Sequence, residues 1–219
     1  MIRRLMLAAM CSLAAFAVPA VAAPAAPSVA QPGPGKAAVK TANDAISELL
    51  KQKAPAGSPA ERSLATKVTQ SVRGFLDIDQ LGKAALVDHW KTLKPAEQTE
   101  FLKTLRDLIE ANYVNGLRAN LAYTVEYDGE STDANGNLVV KTTVTTQRKG
   151  RPFRIKVDYL LVKDKDGTNY RAFDIKTDGV GLVENYRTQF NKLIKDKGFP
   201  ALVELMKKKL ATTTAPAKG

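Results

Sequence analysis

The sequence predicts an α+β domain in which about six helices cover one face of a curved, four-stranded antiparallel meander. Three observations predict this class. Apolar residues recur at helical spacing before residue 115 and again after residue 181. Between those two stretches the apolar residues alternate with polar ones, which is typical of strands with one covered face. Short segments containing glycine separate the alternating stretches, as in hairpins.

The N-terminal segment has the three parts of a secretory signal peptide. Arg3 and Arg4 supply positive charge, residues 5–18 are almost wholly apolar, and Ala20 and Ala22 form the small-x-small pattern that precedes cleavage. The apolar run is shorter than the roughly 20 residues that a membrane-spanning helix needs. We therefore predict that residues 1–22 are a cleaved signal peptide and that the mature protein lies in the periplasm.

Export leaves a basic chain without cysteine. Cys11, the single cysteine, lies within the signal, so the mature protein has neither a disulfide nor thiol chemistry. The full chain carries 33 Lys and Arg against 22 Asp and Glu, a net charge of +11. Such an excess favours anionic partners, such as lipid headgroups or acidic protein surfaces. Export argues against nucleic acid, and so does the lack of aromatic residues interleaved with the basic ones.

The two ends of the mature chain differ in composition from its middle. Residues 23–43 are rich in Ala, Pro and Gly and contain no aromatic residue, and residues 211–219 are similar. We predict a flexible leader and a flexible tail from these compositions. Residues 44–210 lie between them and are numerous enough for one α+β domain with its own core.

Four helices are predicted before the sheet. The first lies around residues 46–50, and the second begins after Ser58, which can cap its N-terminus. The third follows Asp77 and extends as far as Trp90. The fourth covers residues 95–113, where apolar residues recur at helical spacing.

Four strands and two further helices complete the predicted domain. The connections Asn135-Gly136, Lys149-Gly150 and Asp166-Gly167 are of the kind found in tight hairpins, so the strands form an antiparallel meander. The strands are placed at residues 123–127, 138–147, 153–162 and 169–176, and the helices at residues 182–197 and 202–210.

Few residues could carry catalysis. His89 is the only histidine, and no serine stands in a G-x-S-x-G elbow, so we interpret His89 as a residue at the edge of the core or on the surface. Asp174 lies between apolar neighbours in the fourth strand. It could serve as the base of a small isomerase or hydrolase, or it could face outward or pair with a cation such as Arg171 or Arg187. One acid without a partner is thin support for catalysis, so we predict no enzymatic activity and no catalytic residue.

Two aspartate-rich turns resemble the beginning of calcium-binding loops. They span residues 133–136 and 164–167, and neither continues to the glutamate that an EF-hand requires at its twelfth position. Aspartate and glycine at these positions are also usual in hairpin turns. We therefore predict hairpin turns, no metal site and no cofactor.

Two segments, taken in order, resemble a known family. The first contains Phe75-Leu76-Asp77, then Trp90, then the helix start Pro95-Ala96-Glu97-Gln98. The second is YRAFDIKTDGVGL at residues 170–182, which leads into the next helix. Behind a signal peptide, this order is similar to that of the toluene-tolerance family, the MlaC-type periplasmic phospholipid-binding proteins, which has a branch associated with hopanoids.

The resemblance implies a cone related to the nuclear-transport-factor-like fold and a lipid carrier. Such a carrier holds phospholipid acyl chains in an apolar pocket and shuttles lipid between the outer membrane and an inner-membrane ABC transporter. The implied partners are phospholipid, the transporter complex, an outer-membrane lipoprotein complex and, transiently, a membrane surface. One alternative is a hopanoid or sterol-like lipid bound on the same fold. The other is the isomerase or hydrolase that uses Asp174.

A carrier of this kind needs a large apolar pocket. Two acyl chains of about 16 carbons represent about 25 kcal/mol of burial at about 0.8 kcal/mol per methylene. We expect the alternating face of the third strand to be the floor of the pocket and apolar helical residues to be its sides. The predicted lipid-binding residues are Trp90, Phe101, Leu105, Tyr113, Phe153, Ile155, Val157, Tyr159, Val180, Leu182, Tyr186 and Phe190.

Overall fold

The computed structural model describes residues 33–55, 57–118, 123–148 and 150–214. The predicted signal peptide, the beginning of the predicted leader and the last five residues of the predicted tail lie outside the described residues. Within the described ranges, no helix combines the length and the hydropathy needed to cross a membrane.

The described residues form an α+β fold with one antiparallel sheet, which confirms the predicted class. The strands follow one another in the order β1-β2-β3-β4-β5. They are β1 (Tyr123–Thr132), β2 (Leu138–Arg148), β3 (Arg151–Lys163), β4 (Tyr170–Thr177) and β5 (Val180–Gly181). The α-helices are α1 (Pro34–Lys51), α2 (Pro59–Phe75), α3 (Ile78–Ala85), α4 (Pro95–Arg118), α5 (Leu182–Lys197) and α6 (Phe199–Thr214).

The sheet contains a fifth strand, so the prediction of four strands is wrong. Strand β5 pairs antiparallel with the end of β4, with Thr177 opposite Val180. The turn between them uses Asp178 and Gly179, both at positive φ (48° and 88°), as in the tightest hairpins. A strand of two residues is too short to show alternation, which is why the sequence pattern does not reveal it.

Helix α1 begins at Pro34, so the prediction of a flexible leader is wrong for residues 34–43. Val39 is fully buried and anchors the helix to the core. The carboxylate of Glu130 on β1 accepts a hydrogen bond from the backbone N–H of Lys36 at 2.7 Å. This carboxylate therefore caps the N-terminus of α1, where Gly33 has no side chain that could do so. Because this cap comes from a distant strand, the local composition does not indicate a helix start.

Two other helix ends also differ from the predictions. Helix α3 ends at Ala85, and Trp90 lies in a separate 3₁₀ turn, Trp90–Thr92, instead of in the same helix. Helix α6 extends to Thr214, so the prediction of a flexible tail is wrong for residues 211–214. Between α3 and the 3₁₀ turn, the backbone amide of Leu86 donates to the carbonyl of Gly82, and that of Trp90 donates to the carbonyl of Leu86. The chain therefore keeps a helical direction beyond the end of α3.

The Glu130 cap leads to a first prediction. Glu130→Ala is expected to loosen the first turn of α1, because the amide of Lys36 loses its acceptor. A lost cap costs about 1 kcal/mol, which corresponds to about fivefold faster amide exchange in that turn. Hydrogen–deuterium exchange of residues 34–40 measures this. Glu126→Ala is the control, since Glu126 lies on the same strand but pairs with Arg154 on the other face. Equal exchange in the two variants would show that Glu130 does not hold the helix.

The helices are packed on one face of the sheet. Helix α1 packs on α2 and on strands β1, β2 and β4, while α5 packs on α3, α6, β4 and β5. Helix α4 has α6, α2 and α3 as its main neighbours. Register shifts after Tyr127 in β1 and after Leu160 in β3 mark β-bulges, which bend strands and increase their twist.

Candidate functional site

The strand register arranges the helix-facing side of the sheet in rows, because directly paired residues point to the same side. On the outward side, Arg154 pairs with Glu126, and Thr143 donates to Asp128 at 2.7 Å. The rows of the helix-facing side, which we call the inner face, run across the strands. They are Tyr123, Thr146 and Phe153; Val125, Val144 and Ile155; Tyr127, Thr142, Val157, Thr177 and Val180; Val140, Tyr159 and Ile175; and Leu138, Leu161 and Ala172.

Burial falls along the inner face from one end to the other. Val140 and Leu161 are fully buried, and Gly35 of α1 lies so close to both that a Cβ there would be 3.0–3.1 Å from their methyl groups. At the opposite end Phe153 is 38% exposed, and at the β5 edge of the middle row Val180 is 61% exposed. Ile155 and the other apolar residues between these ends are half-buried. The inner face is therefore sealed by α1 at one end and incompletely covered at the other.

Two tyrosines on the helices adjoin the incompletely covered half. Burial raises the pKa of Tyr113 on α4, and the nearby Tyr186 on α5 and Tyr123 on β1 raise it further. Burial likewise raises the pKa of Tyr186. Both side chains nevertheless retain accessible surface. Tyr113 and Tyr186 are therefore half-buried residues that border the incompletely covered part of the inner face.

A small polar network lies beside these tyrosines. The side-chain amide of Asn43 on α1 donates to the hydroxyl of Tyr127 at 3.3 Å, and the hydroxyl of Tyr159 donates to the Asn43 carbonyl oxygen at 3.4 Å. Burial raises the pKa of Tyr159, an effect that the hydrogen bond to Asn43 partly offsets. We use the name tyrosine cluster for the five neighbouring residues Tyr113, Tyr123, Tyr127, Tyr159 and Tyr186.

The predicted lipid-binding residues fall into two groups in the structure. One group retains accessible surface and, except for Trp90 in the 3₁₀ turn, lies on the inner face, at its edge or on helices α4 and α5. Its members are Trp90, Tyr113, Phe153, Ile155, Val157, Tyr159, Val180, Leu182 and Tyr186. The other group is Phe101, Leu105 and Phe190.

The second group belongs to the packed interior of the helical layer. Phe101 and Leu105 have no accessible surface, and both contact the position where a Cβ of Gly82 would stand. The rings of Phe101 and Phe190 meet edge to face at 5.5 Å. Phe190 in turn stacks on Tyr186 at 5.3 Å. These residues therefore support the helices behind the inner face.

Sequence reasoning missed five residues of the site. Tyr123, Val125 and Tyr127 on β1, and Val144 on β2, share rows with predicted residues. Their alternation with polar residues was a usable signal. Asn43 gave no such signal, because it lies in the segment interpreted as a flexible leader.

Asp174 has a structural role at the start of α5. Its Oδ1 accepts hydrogen bonds from the backbone N–H groups of Ile175 and Val183, at 2.9 and 3.1 Å. A carboxylate at this position also suits the positive end of the helix dipole. The predicted pairing with Arg171 or Arg187 is wrong, since both guanidinium groups bind backbone carbonyl oxygens instead.

The two aspartate-rich turns are organised by hydrogen bonds within the turns. Asp133 accepts from the amides of Asn135 and Asn137, and hydrogen bonds from Asn137 hold the pKa of Asp133 below its usual value. Asp164 accepts from Thr168 in the second turn. In the part of the chain that the structure describes, no group of three His, Cys, Asp or Glu side chains could hold a metal ion.

A cleft of about 450 Å³ lies away from the inner face, among α2, α4 and α6. Its lining includes Asp107, Glu110 and Asn115. Glu110 is buried and forms two hydrogen bonds with Arg73, at 2.5 and 2.9 Å. A lining that contains carboxylates and amides is a poor environment for hydrocarbon. The inner face is therefore the better candidate for an apolar ligand.

Two comparisons with known proteins bear on this site. A protein-family model described as MlaC protein matches residues 40–208. Among solved structures, the chain is similar to a phospholipid-binding protein from Ralstonia solanacearum, whose structure was determined in complex with a phospholipid. The two chains are 26% identical, the match covers 82% of this chain and 98% of that one, and the TM-score is 0.64.

Proposed function

Since the chain belongs to the MlaC family, we propose that it is a lipid carrier that holds the acyl chains of a phospholipid between the inner face of its sheet and helices α4 and α5. Membership confirms the family resemblance drawn from the sequence. The observation that carries the proposal is the incomplete cover of an otherwise apolar face, together with deep tyrosines that retain accessible surface.

Hydrocarbon can cover the accessible part of this apolar face. Exposed apolar area costs about 25 cal/mol per Å², so the accessible apolar side chains of the inner face gain free energy when hydrocarbon covers them. The phospholipid-bound Ralstonia protein shows that a similar fold takes such a ligand. Ile155, Val157 and Tyr113 are the residues for which we propose direct contact with acyl chains.

We propose other roles for the remaining predicted residues, at the opening of the lipid site, inside it or in the helical layer that covers it. We propose that Phe153, Val180 and Leu182 border the opening, with Tyr159 and Tyr186 inside it. Trp90 lies in the 3₁₀ turn, where the ammonium group of Lys83 stands 5.8 Å from its ring centre. Phe101, Leu105 and Phe190 keep the helices in place, and contact with the lipid requires those helices to move.

We also propose where in the cell the protein acts. The signal-peptide pattern at residues 1–22 supports export to the periplasm. There the protein would carry phospholipid between an outer-membrane lipoprotein complex and an inner-membrane ABC transporter, with brief contact to each membrane surface.

The bend introduced by the β-bulges supports the cone-shaped arrangement proposed for the fold.

The decisive experiment identifies the cargo. The full chain is expressed in the periplasm of a Gram-negative bacterium, purified without detergent and measured by native mass spectrometry, and its lipids are then extracted and identified. We expect about one phospholipid per chain. A hopanoid or sterol-like lipid in the extract would support the alternative cargo. A protein that carries no lipid, and takes up none from phospholipid vesicles, would contradict the proposal.

A further inference from the structure

The interior of the proposed lipid site contains polar groups that hydrocarbon alone cannot satisfy. Five phenol hydroxyls and one carboxamide, those of the tyrosine cluster and Asn43, adjoin the apolar rows of the inner face. None of these six side chains is a carboxylate, an ammonium or a guanidinium. Uncharged donors placed inside an apolar site suit a ligand atom that accepts hydrogen bonds but carries no net charge.

The hydrogen bonds within this group are long. The Tyr159 hydroxyl lies 3.4 Å from the Asn43 carbonyl oxygen, whereas hydroxyl donors normally approach oxygen acceptors to about 2.7–2.8 Å. The Tyr127 contact with the Asn43 amide nitrogen is 3.3 Å. Bonds of this length leave the hydroxyl of Tyr159 free to turn toward a better acceptor.

Two other members of the cluster have no protein partner. Within the described ranges, the hydroxyls of Tyr113 and Tyr186 form no hydrogen bond to the protein. Both residues lie deep enough for burial to raise their pKa. Among the described residues, neither hydroxyl belongs to the fully buried polar atoms that have no partner, so both are open to water or to a ligand that reaches the incompletely covered part of the inner face.

We propose that the tyrosine cluster, with Asn43 as its positioning residue, binds the ester carbonyl oxygens of a diacyl lipid and so selects ester-linked over ether-linked chains. This inference rests on the proposed function and adds a recognition rule to it. Phosphate would favour lysine or arginine over phenols, and methylene groups offer no acceptor. The ester carbonyls are the uncharged acceptors that a phospholipid carries next to its chains.

The test compares two lipids that differ only in these carbonyls. Diacyl phosphatidylglycerol and its dialkyl ether analogue, with equal chain length and saturation, compete for the delipidated full chain in vesicle-uptake and native mass spectrometry measurements. We expect the wild type to prefer the diacyl lipid by about tenfold, as two or more hydrogen bonds to carbonyls would give.

Two variants and one control assign the preference to the cluster. Tyr159→Phe removes one hydroxyl, and Asn43→Leu removes the amide that positions it; each is expected to lower the diacyl-to-dialkyl ratio about threefold or more while the ether lipid still binds. Tyr170→Phe is the control, because Tyr170 lies on β4 beside Lys163 and outside the cluster. Its ratio is expected to match the wild type.

The outcomes separate this inference from the proposed function. Uptake of both lipids with equal affinity by the wild type would overturn the inference and leave the proposed function in place. An equal loss of both lipids in Tyr159→Phe and Asn43→Leu would also overturn it, because the residues would then act only as packing. Failure of the wild type to bind either lipid would overturn the proposed function as well.

Discussion

Ile155→Glu is expected to abolish lipid binding while leaving the protein folded. Ile155 is half-buried in the middle of the inner face, in the row that contains Val125 and Val144. In the lipid-free protein a carboxylate there still reaches water. In the loaded protein it would face hydrocarbon, and an unpaired buried carboxylate costs several kcal/mol. Since about 1.4 kcal/mol is a factor of ten, we expect affinity to fall by at least about 100-fold.

The matched control for this variant introduces the same charge on the other side of the sheet. Thr124 is exposed and lies between two inner-face residues of β1, so its side chain points outward. Thr124→Glu is expected to bind lipid as the wild type does. Native mass spectrometry gives the occupancy of each variant, and circular dichroism checks folding. Full occupancy in Ile155→Glu would contradict the assignment of the inner face as the site.

Asp174→Ala is expected to destabilise the fold strongly. The substitution leaves the amides of Ile175 and Val183 without an acceptor in a buried position. It also removes a negative charge from the start of α5, where the helix dipole favours it. We expect a loss of about 3 kcal/mol in the free energy of unfolding. For a domain of this size, that corresponds to a melting temperature about 10 °C lower.

Asp174→Asn distinguishes the structural role from a catalytic one. Asparagine keeps an oxygen that can accept from both amides, so we expect it to recover most of the stability, with a loss of about 1 kcal/mol. Lipid uptake should be unchanged. An unaltered melting temperature in Asp174→Ala would contradict the capping role. Asp174 would then again be a candidate general base.

Much of the fold followed from local signals in the sequence. Ser58 caps α2 by accepting from the amide of Glu61 at 3.1 Å, and Asp77 caps α3 by accepting from the amide of Gln80 at 3.0 Å. Each cap lies within three residues of its partner, which is why the pattern predicted it. Strands β1 to β4 were predictable because alternation and glycine turns are also local.

The elements that were missed depend on distant contacts. Helix α1 is held by Glu130, 94 residues away from Lys36 along the chain, and by the close approach of Gly35 to two strands. Strand β5 exists because β4 offers it an edge. Composition and periodicity describe single segments and contain no information on such partners. For the same reason they could not show that Asn43 reaches the tyrosines of β1 and β3.

The candidate site was predictable by residue type but not by depth. Ile155 and Phe101 both stand at apolar positions of regular elements, and the sequence assigned both to the lipid site. In the structure Phe101 is sealed among helices, while Ile155 keeps accessible surface. The difference arises from which neighbours fill the space beside each side chain, and hydrophobic patterning does not encode it.

Photo-crosslinking tests most directly whether the inner face and the helices above it hold hydrocarbon. The full chain is loaded with a phospholipid that carries a diazirine in one acyl chain, irradiated and digested, and the labelled peptides are sequenced. We expect label on β3 around Ile155 and Val157 and on the segments of α4 and α5 that contain Tyr113 and Tyr186. Label confined to the cleft among α2, α4 and α6, or to the outward face of the sheet, would contradict the account.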